Sequence, residues 1–133
     1  AYLEKLSGPL LDRIDLHVSV RTVAYQEMQA KKQEKRGSSA ELAVQVAAVQ
    51  QRQYARGQTA LNGQLSGKQI LGVCQLTAAA QKVVATSFDR LGLSMRGYHK
   101  VLKVARTIAD FADCDTIDAP HIQEALSFRL LER

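Results

Sequence analysis

A stretch near the C-terminal end of the chain carries five basic side chains on one side of a predicted helix. At 100° per residue, the apolar residues of 95–112 share one face, and the basic residues fall within a sector of about 120° opposite to it. Long cations are the usual cover of a solvated helix face, so one interpretation is a plain surface. The other is a site for phosphate groups. The basic residues are Arg96, His99, Lys100, Lys103 and Arg106.

The position of Arg96 favours an external anion. It lies in the first turn of the predicted helix, where a cation opposes the helix dipole. No glutamate four residues away neutralises the basic stripe. We therefore expect Arg96 to face an anion, with Lys100, Lys103 and Arg106 extending a candidate anion or DNA site.

Arg13 is the second candidate for phosphate chemistry. It precedes an alternating segment and is flanked by Asp12 and Asp15. One interpretation is a structural ion pair with one of these aspartates. The other is an arginine finger, because a permanently charged planar guanidinium at a rigid position stabilises a transferring phosphoryl group. The residue pattern alone leaves both open.

The segment that holds Arg13 has the pattern of a β-strand. From Leu10 to Val20, apolar and polar residues alternate with the period of a strand that has one buried face. No second alternating run follows, so we expect its sheet to lie outside this chain. The segment is then expected to be disordered, to pack back on the helices or to pair with another copy. Residues 21–37 are strongly charged and are predicted to form a linker or loop.

Four longer helices are predicted downstream, each with a capping residue at its start. They cover about 38–56, opened by Ser38 with Glu41 in a capping box; 77–91, opened by Thr77 and ended by Gly92; 95–112, opened by Ser94; and 118–131, opened by Asp118. Residues 57–76 contain four glycines and are predicted to be loops with one short helix near 68–73.

Composition excludes several classes of protein and site. The two cysteines lie 40 positions apart without a CxxC pair, and the three histidines are scattered, so neither a disulfide scaffold nor a metal site is expected. No apolar run approaches the roughly 20 residues that span a bilayer. The 46% of apolar residues is ordinary for a soluble protein, and the cysteine pattern favours the reducing cytoplasm. Because the chain has no initiator methionine, it is expected to be part of a longer protein. It contains neither GxxxxGK[ST] nor GxGxxG, so catalysis by this chain alone is not expected.

Three segments together resemble the C-terminal part of the magnesium-chelatase-like AAA+ ATPases, and more narrowly the ComM subgroup, called YifB in some bacteria. They are SGPLLDRIDLHVSV at 7–20, LSMRGYHKVLKVARTIAD at 93–110 and HIQEALSFR at 121–129. The resemblance implies that Arg13 is an arginine finger reaching the ATP of the neighbouring subunit in a ring. It also implies that Arg96 is the sensor 2 residue, touching the γ-phosphate of its own subunit's nucleotide.

The same resemblance implies a mainly α fold, in which a helical lid at 38–133 follows a linker at 21–37 and a remnant strand of an absent α/β ATPase core at 1–20. The full-length protein would use ATP and Mg²⁺, with neither bound to this fragment, and would form a homo-oligomeric ring, as a hexamer, that remodels DNA by branch migration during natural transformation. Two alternatives stay open: a chelatase-like or protein-remodelling ATPase that does not act on DNA, and a stand-alone nucleic-acid-binding module.

Overall fold

The chain folds as a set of helices around one central helix. A computed structural model describes residues 8–20, 24–25 and 38–129. Within these ranges the helices are α1 (Gly8–Arg13), α2 (Ser39–Ala55), α3 (Gly67–Val73), α4 (Ala78–Leu91), α5 (Met95–Phe111) and α6 (Ala119–Ser127), with a 3-10 turn at Asn62–Gln64. The predicted mainly helical lid fold is confirmed. Most of the predicted 21–37 linker lies outside the described residues, and α6 ends at Ser127, earlier than the predicted end near 131.

The capping residues explain where the helices begin. Ser38 Oγ accepts a hydrogen bond from the Glu41 amide at 3.1 Å, and the Glu41 carboxylate accepts one from the Ser38 amide at 3.3 Å. Gly92 ends α4 with φ at 61°, a left-handed conformation that glycine adopts without strain. The other predicted N-caps are confirmed as well. They are Thr77, Ser94 and Asp118.

Helix α5 lies at the centre and packs against α4, α6, α3 and α2. Val101, Leu102, Ala105 and Ala109 of α5 are buried, and their small and branched side chains let the neighbouring helices approach closely. The predicted apolar face extends to Ala112, but Ala112 lies beyond the end of α5 and is exposed. Side chains on this helix are therefore carried by an element that packs against most of the other described helices.

Helix α2 contacts the rest of the protein mainly through its C-terminal half. Of the apolar face at Leu42, Val46 and Val49, Val49 is buried, whereas Leu42 and Val46 are exposed. Val44 is also exposed. The sequence pattern identified the helix correctly but did not show that part of its apolar surface lies open.

The prediction of a strand from Leu10 to Val20 was wrong. The first part of the segment forms α1, and residues 14–20 form no strand. A strand needs a neighbour, and the described residues offer this segment one isolated bridge, between His17 and Arg129. The apolar residues of the alternation point outward and are 40% to 86% exposed. They are Ile14, Leu16, Val18 and Val20.

Residues 14–17 pack back on the helices through polar contacts. His17 is buried, its amide donates to the Phe128 carbonyl oxygen at 2.6 Å, and its Nε2 donates to the Leu11 carbonyl oxygen at 3.0 Å. Arg129, also buried, donates from Nη1 to the Ile14 carbonyl oxygen at 2.6 Å. The segment before the lid is thereby attached to the end of α6.

In the described part of the chain, no helix has the length and apolar character needed to cross a bilayer.

Candidate phosphate-binding site

The N-terminal half of α5 positions the basic residues of the site. Ser94 caps the helix by accepting a hydrogen bond from the Gly97 amide at 3.0 Å. The first three turns then place Arg96, His99 and Lys103 on the same side, since residues three and four apart share a face. Because α5 is the packed centre of the fold, these side chains start from a backbone that is fixed in place.

Helix α1 brings Arg13 to the same place. The carboxylate of Asp12 accepts a hydrogen bond from Ser94 Oγ at 2.7 Å, so the end of α1 is joined to the N-cap of α5. The carboxylate of Asp15 forms an ion pair with Lys100. The two aspartates that flank Arg13 therefore connect its segment to the basic side of α5.

Gly67 closes the third side of the site. It is the first residue of α3 and lies against the ring of His99, where an added Cβ would come within 2.5 Å of His99 Cε1. That separation is well inside van der Waals contact, so a side chain at position 67 would push the ring out of place. Glycine here allows the backbone before α3 to approach α5.

These elements enclose an open cavity of about 400 Å³. It brings together Arg13 and four residues of the predicted basic stripe. The cavity is lined by Arg13, Leu65, Ser66, Gly67, Arg96, His99, Lys100 and Lys103.

The two arginines differ from the lysines in how they are held. Arg13 and Arg96 are exposed, and within the described ranges neither makes an ion pair or a side-chain hydrogen bond. Lys100 is paired with Asp15, and Lys103 Nζ donates to the Gly63 carbonyl oxygen at 3.4 Å. Two guanidinium groups are thus available to an anion at one cavity.

The electrostatics of the cavity reflect its excess of positive charge. Partial burial lowers the pKa of Lys103 below its ordinary value, and the nearby charge of Lys100 lowers it further, whereas the carboxylate of Asp15 opposes the change. Like charges on neighbouring turns of one helix repel one another. An anion placed in the cavity would relieve this repulsion, so the arrangement suits a phosphate group.

The prediction that Arg106 belongs to the exposed stripe was wrong. Arg106 is fully buried, and its guanidinium donates to the Asp115 carbonyl oxygen at 2.7 Å and to Asp110 Oδ1 from Nε at 3.1 Å. Backbone oxygens of Val73 and Cys114 also accept hydrogen bonds from it, so the end of α3 and the turn after α5 enclose the guanidinium. The sequence held a sign of this, since Asp110 lies four residues after Arg106 and an ion pair at that spacing is common.

A buried polar cluster surrounds Asp110, and sequence analysis did not identify it. Arg56 donates two hydrogen bonds to this carboxylate at 2.8 and 3.0 Å, and Asn62 Nδ2 donates a third at 3.0 Å. Burial acts to raise the pKa of Asp110, but the hydrogen bonds from Arg56 and Asn62 and the charge of Arg106 hold it below its ordinary value. Asn62 lies in the stretch 57–76 that the sequence predicts to be mainly loops, and nothing in that pattern indicates a buried role.

The described residues contain no group of three or more histidine, cysteine, aspartate or glutamate side chains placed to hold a metal ion. The binding chemistry that these residues offer is cationic.

Comparison with known proteins identifies the family. Residues 36–129 match the family described as magnesium chelatase, subunit ChlI C-terminal. The chain belongs to this family. Residues 1–28 match a second family, described as magnesium chelatase, subunit ChlI, so the ChlI-type match also covers the segment that carries Arg13.

Individual relatives agree with the family assignment. The chain is 39% identical over 99% of its length to the uncharacterized protein YifB of Salmonella typhimurium and 38% identical over 99% to YifB of Escherichia coli. It is 36% identical over 99% of its length to competence protein ComM of Haemophilus influenzae. The chain spans 26% of each of these relatives. The predicted ComM/YifB resemblance is confirmed, and the chain is a part of an AAA+ ATPase-like protein.

Proposed function

We propose that this chain is the nucleotide-sensing lid of an AAA+ ATPase. In this proposal Arg96 contacts the phosphates of the ATP bound by its own subunit. Arg13 contacts the phosphates of the ATP bound by the neighbouring subunit of a homo-oligomeric ring, which we expect to be a hexamer. The observation that carries the proposal is the pair of exposed arginines, without ion-pair partners among the described residues, at one cationic cavity.

The chemistry of the guanidinium group supports these roles. It is planar and always charged, and it donates two parallel hydrogen bonds to phosphate oxygens. An arginine that is already in position stabilises the charge on a transferring phosphoryl group without reorganising at the moment of reaction. Arg96, on the central helix, would transmit nucleotide state as a movement of the lid, because α5 contacts most of the other helices.

The test is substitution in the full-length protein. Arg13→Ala is expected to lower ATP turnover about 10³-fold or more while leaving ATP binding intact, since an arginine finger acts mainly in the transition state. Arg52→Ala is the matched control, because Arg52 lies on α2 and pairs with Asp113, away from the cavity. Unchanged turnover in Arg13→Ala would contradict the assignment.

A mixing experiment tests whether Arg13 acts across a subunit boundary. In the structure Arg13 and Arg96 line one cavity of one chain, so action on the same nucleotide is the competing arrangement. Arg13→Ala subunits mixed with subunits that cannot bind ATP should recover part of the turnover if Arg13 acts on a neighbour. If Arg13 serves its own subunit, each mixed ring remains inactive.

We further propose that the full-length protein uses ATP to remodel DNA in the cytoplasm, including branch migration in recombination and natural transformation. The name of one relative, competence protein ComM, supports this direction. The free thiols of Cys74 and Cys114 fit a reducing compartment. ATP turnover of the full-length protein should rise with single-stranded, duplex or branched DNA, and the most stimulating form identifies the substrate.

A protein substrate is the second candidate, and one observation favours it. The N-terminal half of α2 exposes Leu42, Val44 and Val46, an apolar surface that suits a protein better than DNA. A stand-alone DNA-binding module is less well supported, because Arg106 is buried and Lys100 is paired with Asp15. ATP turnover that is indifferent to DNA would favour the protein-remodelling alternative.

A further inference from the structure

The residues around Arg13 carry a second feature, a carboxylate that forms an ion pair with a lysine of the cationic cavity. Asp15 reaches across to α5 and pairs with Lys100, which lines the cavity. Its carboxylate thereby pairs with one of the cavity's lysines as an external anion would. The Lys100 side chain is mostly buried, so screening by solvent weakens this pair less than a fully exposed one.

The ion pair also fixes the segment that follows α1. Residues 14–17 attach to the end of α6 through the His17 amide and the Ile14 carbonyl oxygen, and Asp15 adds an attachment to α5. Three contacts within four residues thus hold the segment on the lid. Arg13 lies two positions before Asp15, so a change in this attachment alters the position from which Arg13 reaches phosphate.

We propose that Asp15 is a built-in competitor for phosphate, which holds Lys100 when the cavity is empty and is displaced when a phosphate binds, so that nucleotide occupancy loosens the docking of residues 14–17. This proposal rests on the proposed function of the cavity. It adds a regulatory link, because the two binding events oppose each other and thermodynamic linkage makes that opposition reciprocal. Filling the cavity weakens the docked segment, and docking weakens the binding of phosphate.

The first test is titration of the 133-residue chain with inorganic tripolyphosphate at constant low ionic strength. Asp15→Asn frees Lys100 and is expected to bind about threefold to fivefold more tightly than the unaltered chain, the range of a partly exposed ion pair. Asp115→Asn is the matched control. It changes the net charge equally, but Asp115 is exposed and follows the opposite end of α5 from Arg96.

The outcomes separate this inference from the proposed function. If the unaltered chain binds tripolyphosphate, Arg96→Ala weakens it and Asp15→Asn leaves the affinity unchanged or lower, the competitor role is overturned and the phosphate site stands. If neither the unaltered chain nor Asp15→Asn binds, the phosphate site itself is overturned, and the competitor role with it. Equal tightening by Asp15→Asn and Asp115→Asn would reduce the effect to net charge and also overturn the competitor role.

A second measurement follows the docked segment directly. The His17 amide donates to the Phe128 carbonyl oxygen, so its hydrogen exchange reports docking. Saturating tripolyphosphate should speed exchange at His17, whereas sodium chloride at the same ionic strength should not. Asp15→Asn should speed it without any phosphate. Unchanged exchange at His17 in a chain saturated with tripolyphosphate would overturn the displacement of Asp15.

Discussion

The two ends of α5 hold arginines in opposite states. Near its N-terminus, Arg96 is exposed beside a cavity that carries excess positive charge. Near its C-terminus, Arg106 is fully buried against the carboxylate of Asp110. The two residues are of the same type and fall within the same sector of the helix. The surroundings make the difference, since backbone oxygens at the end of α3 and in the turn after α5 enclose one guanidinium, whereas the other lies at an open cavity.

This difference separates structural charge from charge that is available for binding. Burying a charge without a partner is very costly, so the closed end provides Asp110 with donors from Arg56, Arg106 and Asn62. At the open end, water solvates the charged side chains, so the fold requires no ion-pair partner for them. An arginine that is exposed at a cavity retains its donors for an external anion.

The largest expected effect comes from breaking the closed end. Asp110→Ala leaves the guanidinium groups of Arg56 and Arg106 without their carboxylate, and we expect a loss of about 3 to 5 kcal/mol in the free energy of unfolding. Denaturant unfolding measures this loss. Asp115→Ala serves as the control, because the Asp115 side chain is exposed and its backbone oxygen, which accepts from Arg106, remains. A loss below about 1 kcal/mol for Asp110→Ala would show that the closed cluster does not hold the fold together.

A matched pair of arginine substitutions compares the two ends directly. Arg106→Met removes donors to three backbone carbonyl oxygens as well as to Asp110, and we expect it to destabilise the chain by about 2 to 3 kcal/mol. Arg96→Met should change stability by less than about 0.5 kcal/mol, because the side chain is exposed. Thermal and denaturant unfolding of both variants gives the comparison. Equal effects at the two positions would remove the distinction between the closed and open ends.

The sequence predicted the helices well because their ends are decided locally. Ser38 with Glu41, Gly92 after α4 and Asp118 before α6 act through contacts within one turn, so a few adjacent residues carry the information. The strand prediction was wrong for the opposite reason. The alternation at 10–20 is typical of a segment that can pair in a sheet, but pairing requires a neighbouring strand, which the described chain does not provide.

The candidate site divides along the same line. Arg96 is predicted from its place in the first turn of a helix, where a cation opposes the helix dipole. The residue pattern leaves the role of Arg13 open, and the family resemblance implies it. Their convergence on one cavity could not be predicted, because it depends on contacts between residues about 80 positions apart, such as Asp12 with Ser94. The pairing of Arg106 with Asp110 has a local signal in their spacing, but the burial of Arg106 depends on contacts with segments that sequence spacing does not show.

Acid should weaken the closed end through Asp110. The pKa of Asp110 in the folded chain lies below the ordinary value of 3.8, so its contribution to stability is fully present above about pH 4 and is lost as the pH falls through the folded pKa. The difference in unfolding free energy between the unaltered chain and Asp110→Asn should therefore narrow as the pH falls below 4. Unfolding by denaturant at neutral and acidic pH measures it. A gap that widens in acid would contradict the assigned charge state.

The smallest expected effect is chemical and leaves stability unchanged. Cys74 packs against the closed end, where burial raises the pKa of its thiol to about 11, although the charges of Arg106 and Arg56 act to lower it. Little of the Cys74 thiol is therefore thiolate at pH 8, so iodoacetamide should modify it more slowly than Cys114, which lies in the exposed turn after α5. Peptide mapping by mass spectrometry measures both rates in one sample.

The same reaction reports whether the two ends of α5 are independent. Asp110→Ala loosens the cluster beside Cys74 and should speed its modification, whereas Arg96→Ala alters only the open end and should leave the rate as it was. Modification of Cys74 that is fast in the unaltered chain would show that the closed end opens readily. In that case solvent would reach Arg106 as well as Arg96, and burial would no longer distinguish the two ends of α5.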